Sequence, residues 1–590
     1  MTTTWDLTFV YKGYDDPQIN EDLEKANQLA EDLAKYRNKL ATLSSSEFTS
    51  FLQQHEKIGT YLVQCGSYGS LLFSQETTND NFKALFAKIQ QKNVEIGNKL
   101  IWINLEINKM NPETFVKFLD DPKMANYHHY LQVLRLREPY QLSESVEQII
   151  NQKALVSASA WVKFYEEYTA DFKFEVELEG EKKILSQGDI RPKFRDANPI
   201  TRENVFKTYY QKYIDDSIAI SHCYNNIWKD HGQNVDLRKY PSSMTIAHIR
   251  NQTDEDIVET MMSVVKKNYT LIQEYYKTKA KLMGQGTSIK GSDLYAPITK
   301  VTKYSWKEAE EAVLGAYNDF DTEIGQMAQI LFDKDLIDSE IRQGKRTGAF
   351  CAGLTPALMP VIHMSFDGTS DGVATLAHEM GHALHDMFSA RKQTLFNYHP
   401  PLVVAETASV FGEQILTSKL LKTMNDEDSK LTLLVNQLED AIGTISRQTM
   451  YIFFEKECHL KGAKQTLSFQ EMSDIWDKHV KEAYGDSVNF LPEQSANWAS
   501  IPHFLFTRYY CYAYSFGMLF VLGLYQKYLE EGSLFIPKLK SILEAGGSQF
   551  PIDLAASVGL DIRKEEFWQA GFDYLNGLLA EFKEIVEKRS

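Results

Sequence analysis

Cysteine, basic charge and long apolar runs are all scarce in this chain, and each shortage removes a class of function. Cys65, Cys223, Cys351, Cys458 and Cys511 are the 5 cysteines among 590 residues. They lie far apart and form no Cys-x-x-Cys pair, which suits free thiols in a reducing compartment and excludes a disulfide framework or a thiolate zinc site. Lys and Arg total 63 against 80 Asp and Glu, a net charge of −17. No overall field therefore draws nucleic acid or anionic lipid, and the basic residues are scattered rather than striped, so neither is expected as a partner. The longest apolar run, near Phe516–Tyr525, is too short for a bilayer of about 30 Å. The opening Met1-Thr-Thr-Thr-Trp-Asp-Leu has no basic stretch leading into an apolar one, so no secretory signal is read and the expected address is the cytoplasm. Internal repeats and low-complexity tracts are also missing.

The composition that remains is globular, 43% hydrophobic and 24% charged, with enough chain for several domains or one large helical body. Leu23, Ala26, Ala30, Leu33 and Leu40 recur at helical spacing, and Ser44-Ser-Ser-Glu47 offers a capping box for the next helix. Helical periodicity continues through Phe82–Ile103 and again over Ser143–Tyr168. From Phe172 to Leu185 apolar and charged residues alternate around a glycine, the pattern of a β-hairpin. Asp196-Ala-Asn-Pro199 is a turn cluster and marks a boundary. The expected division is an N-terminal helical domain over 1–198, carrying the hairpin, and a second domain over 199–590. Two short strands are expected around Gly348–Gly353 and Pro360–Phe366, with helix elsewhere. The fold class is mainly α with a small sheet.

The strongest chemical signal is His378-Glu379-Met380-Gly381-His382. With 14 histidines in the chain, a His-Glu-x-x-His match is expected by chance roughly 0.02 times. Asp367-Gly-Thr-Ser-Asp371 supplies cap residues, and Val373, Leu376, Ala377, Met380 and Leu384 give the segment after it the apolar stripe of a helix. Positions i and i+4 share one face, so both imidazoles can reach one ion, with Glu379 beside them as a general base toward the attacking water. A catalytic site of this kind needs a third protein ligand. In the extended His-Glu-x-x-His-x-x-Gly-x-x-His pattern that ligand would fall at Phe388, and His385 stands where the glycine should be, so that subclass is excluded. His385 reads as a polar neighbour of the site. A carboxylate from a second helix is the alternative. Pro401–Glu413 is apolar except for Glu406 and Glu413, which lie on one face and are costly to bury unless paired or metal-bound. Glu406 is the first choice of ligand. Glu413 is the second, or the group that orients a ligand histidine. A salt-bridged core glutamate is the plain alternative for Glu406.

Far downstream, His503, Arg508, Tyr509, Tyr510, Tyr512 and Tyr514 cluster, with Tyr509 and Tyr512 at i and i+3 of an expected helix. Taken alone, such an aromatic stripe belongs to a core; beside a hydrolytic metal, tyrosine hydroxyls and a histidine are suitable donors to a developing oxyanion. Lys345 and Arg346 read as a solvated loop, with contact to a substrate carboxylate as the other possibility.

Taken together, the chain resembles the M3-family zinc metallopeptidases, in particular the oligoendopeptidase F branch. The resemblance rests on Trp5-Asp-Leu, Ser157-Ala-Ser-Ala-Trp161, Leu237-Arg-Lys-Tyr-Pro241, Lys345-Arg-Thr-Gly-Ala-Phe350, Leu376–His382, Ala405-Glu-Thr-Ala-Ser409 and the late block from His503 to Tyr512. It implies one zinc ion held by His378, His382 and Glu406, Glu379 as general base, and His503, Tyr509 and Tyr512 as contacts to the substrate carbonyl and oxyanion. It further implies a two-lobed, zincin-type helical body with a deep channel, the 1–198 domain forming part of its wall, and short unstructured oligopeptides as substrates cut at internal bonds. The strand near Val361–Ser365 would be an edge strand that pairs with the peptide. A zinc carboxypeptidase of related helical fold, or a catalytically silent peptide binder, is the competing reading.

Overall fold

The computed structural model describes residues 3–298 and 303–589, apart from the side chain of residue 144. It is mainly helical with three small sheets, and the chain folds into two compact units, each assembled from three segments.

Unit 1 comprises Met1–Pro139, Val301–Thr423 and Leu524–Asp561. Its first segment is a set of long antiparallel helices, Pro17–Leu33, Ser45–Gln75 and Asp80–Asn108. Ser44 accepts from the Glu47 N–H while Glu47 accepts from the Ser44 N–H, the expected capping box. The apolar positions read from the sequence close a core of Ala26, Ala30, Leu33 and Leu40 against Phe48, Phe51 and Ile103.

The second segment of unit 1 holds a three-stranded sheet. Val361–His363 is its central strand, parallel to Ile337–Asp338 on one side and antiparallel to Phe350–Ala352 on the other. The expectation that Val361–Ser365 offers a free edge is therefore wrong. Both of its backbone edges are occupied, and the outer strand on that side is Phe350–Ala352. Lys345 departs from expectation as well. It is buried, with Nζ 2.9 Å from Asp338 Oδ1 and 2.6 Å from the Met364 carbonyl oxygen. Asp338 is wholly buried in its strand, and a carboxylate there requires a cation within reach, which takes Lys345 out of the solvent.

From the sheet the chain enters the motif helix, Ser370–Ser389, whose N-cap Thr369 accepts from the Gly372 N–H at 3.0 Å. The expected continuous helix over 401–413 is in fact two: Leu402–Ala405, a break at Glu406, then Thr407–Thr423, the glutamate helix. The motif and glutamate helices pack backbone against backbone. A Cβ at Gly381 would overlap the Ala408 carbonyl oxygen and stand 2.5 Å from Ser409 Cα. A Cβ at Gly412 would overlap the Tyr317 hydroxyl and lie 3.1 Å from the Ala377 carbonyl oxygen.

Unit 2 comprises Tyr140–Lys300, Met424–Gly523 and Ile562–Ser590. The β-hairpin is present, Phe174–Leu178 against Glu181–Leu185, with Phe174, Val176 and Leu178 facing inward. The turn at Asp196–Pro199 leads into the helix Pro199–Asp215, whose N-cap is Asn198. Unit 2 buries two ion pairs, Arg202 with Asp293 at 2.7 Å and Lys279 with Glu439 at 2.5 Å. All five cysteines are free thiols. Among the described residues, no helix is long and apolar enough to cross a membrane.

Gly381→Ala should push the two helices apart. We expect a loss of about 1–3 kcal/mol, the range for inserting a methyl group into a filled space, read as a lower thermal unfolding midpoint, with no comparable change for Gly97→Ala, where a Cβ meets nothing.

Candidate metal centre

The motif helix sets His378 and His382 one turn apart, with ring centroids 4.9 Å from one another. The break before the glutamate helix swings Glu406 onto them. Its Oε2 lies 3.3 Å from Nε2 of His378 and 3.3 Å from Nε2 of His382. One donor atom from each of the three residues falls within a sphere of mutual distances of 4.8 Å or less. Ser409, one turn into the glutamate helix, donates to Glu406 Oε2 at 2.7 Å and steadies the carboxylate.

Glu413 sits two turns beyond Glu406 on the same face and meets the other side of the first imidazole, its Oε1 2.5 Å from His378 Nδ1. A carboxylate that accepts from Nδ1 fixes the ring so that Nε2 is the nitrogen presented to a metal, the arrangement by which metal-binding histidines are oriented. Of the two acids, Glu406 thus stands with the imidazole nitrogens and Glu413 stands behind one of them.

Charge accounts for the titration of the group. Burial of the His378 ring works against its charged form, but the hydrogen bond and charge of Glu413 outweigh that, with Glu406 and Glu379 adding, and its pKa stands at about 9. For Glu406 burial raises the pKa, while His382, His378 and the Ser409 hydrogen bond more than reverse it and bring it down to about 2. Glu379 is 6% exposed. Burial raises its pKa against the pull of the two imidazoles, and the Cys351 backbone N–H donates to it. A glutamate with an elevated pKa beside two imidazoles is suited to carry a proton. That N–H belongs to Phe350–Ala352, so the base lies against the outer strand of the sheet.

His385, a further turn along, is buried and held near pKa 4 by desolvation. It does not join the cluster of donor atoms.

The tyrosine block lies in unit 2, and its local structure differs from the expected helix. A short helix ends at Phe506 and the next begins at Tyr512, so Tyr509 and Tyr512 are not one helix face. Tyr509 is left-handed, with φ 54°, and its N–H donates to Glu455 Oε1 at 2.8 Å. A buried carboxylate that captures the N–H at this position breaks the helix there. The Tyr509 hydroxyl shares a 2.7 Å hydrogen bond with Ser243 Oγ. The Tyr512 hydroxyl accepts from Asn251 Nδ2 at 2.8 Å and lies 3.3 Å from His248 Nδ1. His503 stacks on Tyr510, with Nε2 3.4 Å from the Tyr514 hydroxyl. Ser409, Tyr317 and Glu455 are contributors that sequence reasoning missed; the Glu-Thr-Ala-Ser turn was the only available signal for the first, and none existed for the other two.

Two imidazoles a turn apart, a carboxylate from the following helix and a buried glutamate between strand and helix define a helical metallopeptidase. The donor set of two imidazole nitrogens and one carboxylate fits a divalent ion such as zinc. The family model described as "Peptidase family M3" matches residues 194–574, and that described as "Oligopeptidase F" matches 106–174. The chain belongs to peptidase family M3, in its oligoendopeptidase F branch, and is a metallo-endopeptidase. It is 25% identical to oligopeptidase PepF of Bacillus subtilis over 99% of this chain and 87% of that protein. It is 26% identical to the oligoendopeptidase F homolog of Lactococcus lactis over 99% of this chain and 97% of that one. Among solved structures, a peptidase from Chlamydophila abortus superposes with a TM-score of 0.90 at 22% identity, covering 99% of this chain and 98% of its own. The oligoendopeptidase-F of Enterococcus faecium gives 0.72 at 22% identity, with 97% and 99% covered. At this identity the structural likenesses establish the fold.

Removing the Glu413 carboxylate should loosen the site without removing a donor. Glu413→Ala is expected to weaken divalent-metal affinity by about 10- to 100-fold, measured by competition with a chromogenic chelator.

Proposed function

We propose that this chain is a zinc-dependent endopeptidase that hydrolyses internal bonds of short, unstructured oligopeptides in the cytoplasm, with one zinc per chain. The observation that carries this reading is the meeting of His378 Nε2 and His382 Nε2 at Glu406 Oε2, with Glu413 on the far nitrogen of His378. Its sequence frame is an N-terminal helical domain over 1–198 and a catalytic peptidase domain over 199–590, the latter supported by the family match over 194–574.

His378, His382 and Glu406 would hold the ion, which when bound supplies Lewis acidity toward the scissile carbonyl and the attacking water. Glu379 takes a proton from that water and returns it to the leaving amine nitrogen. Its burial and raised pKa place its proton affinity closer to the working pH than that of a free carboxylate. Glu413 keeps His378 in the tautomer that presents Nε2. The outer edge of Phe350–Ala352, apart from the Cys351 N–H that Glu379 takes, offers backbone groups to an extended peptide, a mode of recognition that reads main chain more than side chain. In this reading Tyr512, Tyr509 and His503 donate to the carbonyl oxygen as it becomes an oxyanion, so the two tyrosine hydroxyls exchange Asn251 and Ser243 for substrate during turnover.

The test is cleavage of an internally quenched peptide blocked at both ends, with metal content measured on the same samples. Glu379→Gln should keep its zinc and lose about 10²- to 10⁴-fold in kcat. His378→Ala should lose both zinc and turnover, and chelation should silence the parent. A Glu379→Gln chain that cuts at the parent rate overturns the assignment of the base. Parent protein that binds zinc but spares the blocked peptide, while trimming one with a free C-terminus, would be a carboxypeptidase.

A further inference from the structure

Unit 2 holds a cavity of about 350 Å³, and no residue of the metal centre lines it. Its wall includes the aromatic side chains of Tyr295, Tyr451, Trp476 and Tyr484. Into this wall is set Arg447, the first residue of the helix Arg447–Gly462, which continues directly from a single π-helical turn at Ile442–Ser446. Isolated π turns recur at functional sites because they displace a side chain from its helical position.

Arg447, half-buried on the cavity wall, differs from the buried cations of unit 2. Arg202 and Lys279 each have a carboxylate. Arg447 has none among the described residues. Its Nη1 donates to the Tyr295 hydroxyl at 2.6 Å, and its Nε is buried without an acceptor. A guanidinium that faces a cavity, with its Nε buried and no carboxylate in contact, is a ready partner for an incoming anion. Lys481 lines the same cavity as a second cation. The single acid on the wall, Asp477, is pushed up to about 6 by its burial and by Asp474, so its opposition to an anion weakens as the pH falls toward that value.

We propose that this cavity is a binding site for a small carboxylate that bears an aromatic or branched apolar group. Arg447 pairs with the carboxylate, and Tyr451, Trp476 and Tyr484 enclose the apolar group. The volume admits one side chain of that size and lies at the small end of ligand cavities, and planar pairing of a guanidinium with a carboxylate is the strongest contact the wall can offer. The assignment stands apart from the peptidase reading, since it uses none of the same residues.

The probe is 3-phenylpropionate, titrated calorimetrically into the full metal-loaded chain beside its neutral analogue 3-phenylpropionamide. The acid should bind at one site, and the amide at least about tenfold more weakly, since charge-assisted hydrogen bonds exceed neutral ones by that much. Arg447→Gln should weaken the acid by at least about tenfold and leave the amide unchanged, whereas binding of the acid at the metal centre would survive this substitution. Ser495→Trp, which fills the cavity from its half-buried rim without touching the charge, should abolish binding of both and guards against a misfolded Arg447 variant. Equal affinities for acid and amide, undiminished binding in both variants, or no saturable heat with the acid at 10-millimolar order would each overturn the proposal.

Discussion

The metal centre depends on how closely two helix backbones can approach. Gly381 lies against the Ala408 carbonyl and Ser409, and Gly412 lies against the Ala377 carbonyl and the Tyr317 hydroxyl, so each helix meets the other through a residue that has no side chain. Nothing larger fits at either position. This contact sets the separation of the two imidazoles from the glutamate helix, and it delivers Glu406 at the near end and Glu413 two turns farther on. The Tyr317 hydroxyl, donating to Ala377 at 2.7 Å, closes the same seam from a third helix.

With the helices fixed, three side chains of the centre are each held by a partner of their own. Ser409 steadies Glu406, Glu413 steadies His378, and the Cys351 N–H reaches Glu379 from the outer strand. Three carboxylates and two imidazoles in one place would be unstable unless their charges were apportioned. Burial and the imidazoles divide the acids into two kinds, Glu406 kept ionised and Glu379 displaced toward protonation. This separation of neighbouring carboxylates by environment lets one residue serve as a ligand and the other as a proton carrier.

Unit 2 shows the same economy of buried charge, and its exceptions carry the most meaning. Arg202 and Lys279 have acids at contact distance. Glu455 has the Tyr509 N–H, the His459 ring at 3.6 Å and the more distant Arg508 and Arg250, and burial lifts it to about 8. That carboxylate holds a tyrosine in the left-handed region, where L side chains are strained. Arg447, with no carboxylate in contact among the described residues, is the complementary case.

Much of the site was legible in the sequence, because its first half is local. The i, i+4 spacing of His378 and His382, the cap at Thr369 and the apolar stripe of Leu376, Met380 and Leu384 are properties of one helix, and periodicity alone specifies a helix face. The capping box at Ser44 and the hairpin at Phe174–Leu185 are local in the same sense. The features that could not be read depend on residues distant in the chain. Val361–His363 is central rather than outer because Ile337–Asp338 reaches it, Lys345 is buried because Asp338 needs a cation, and Tyr509 leaves the helix because Glu455 takes its N–H. The sequence by itself determined the motif helix, its two imidazoles and a short choice of acids. Only the tertiary structure decided which acid meets the imidazole nitrogens and which stands behind them, since that choice is set by a backbone approach between two helices, and no spacing along one helix encodes it.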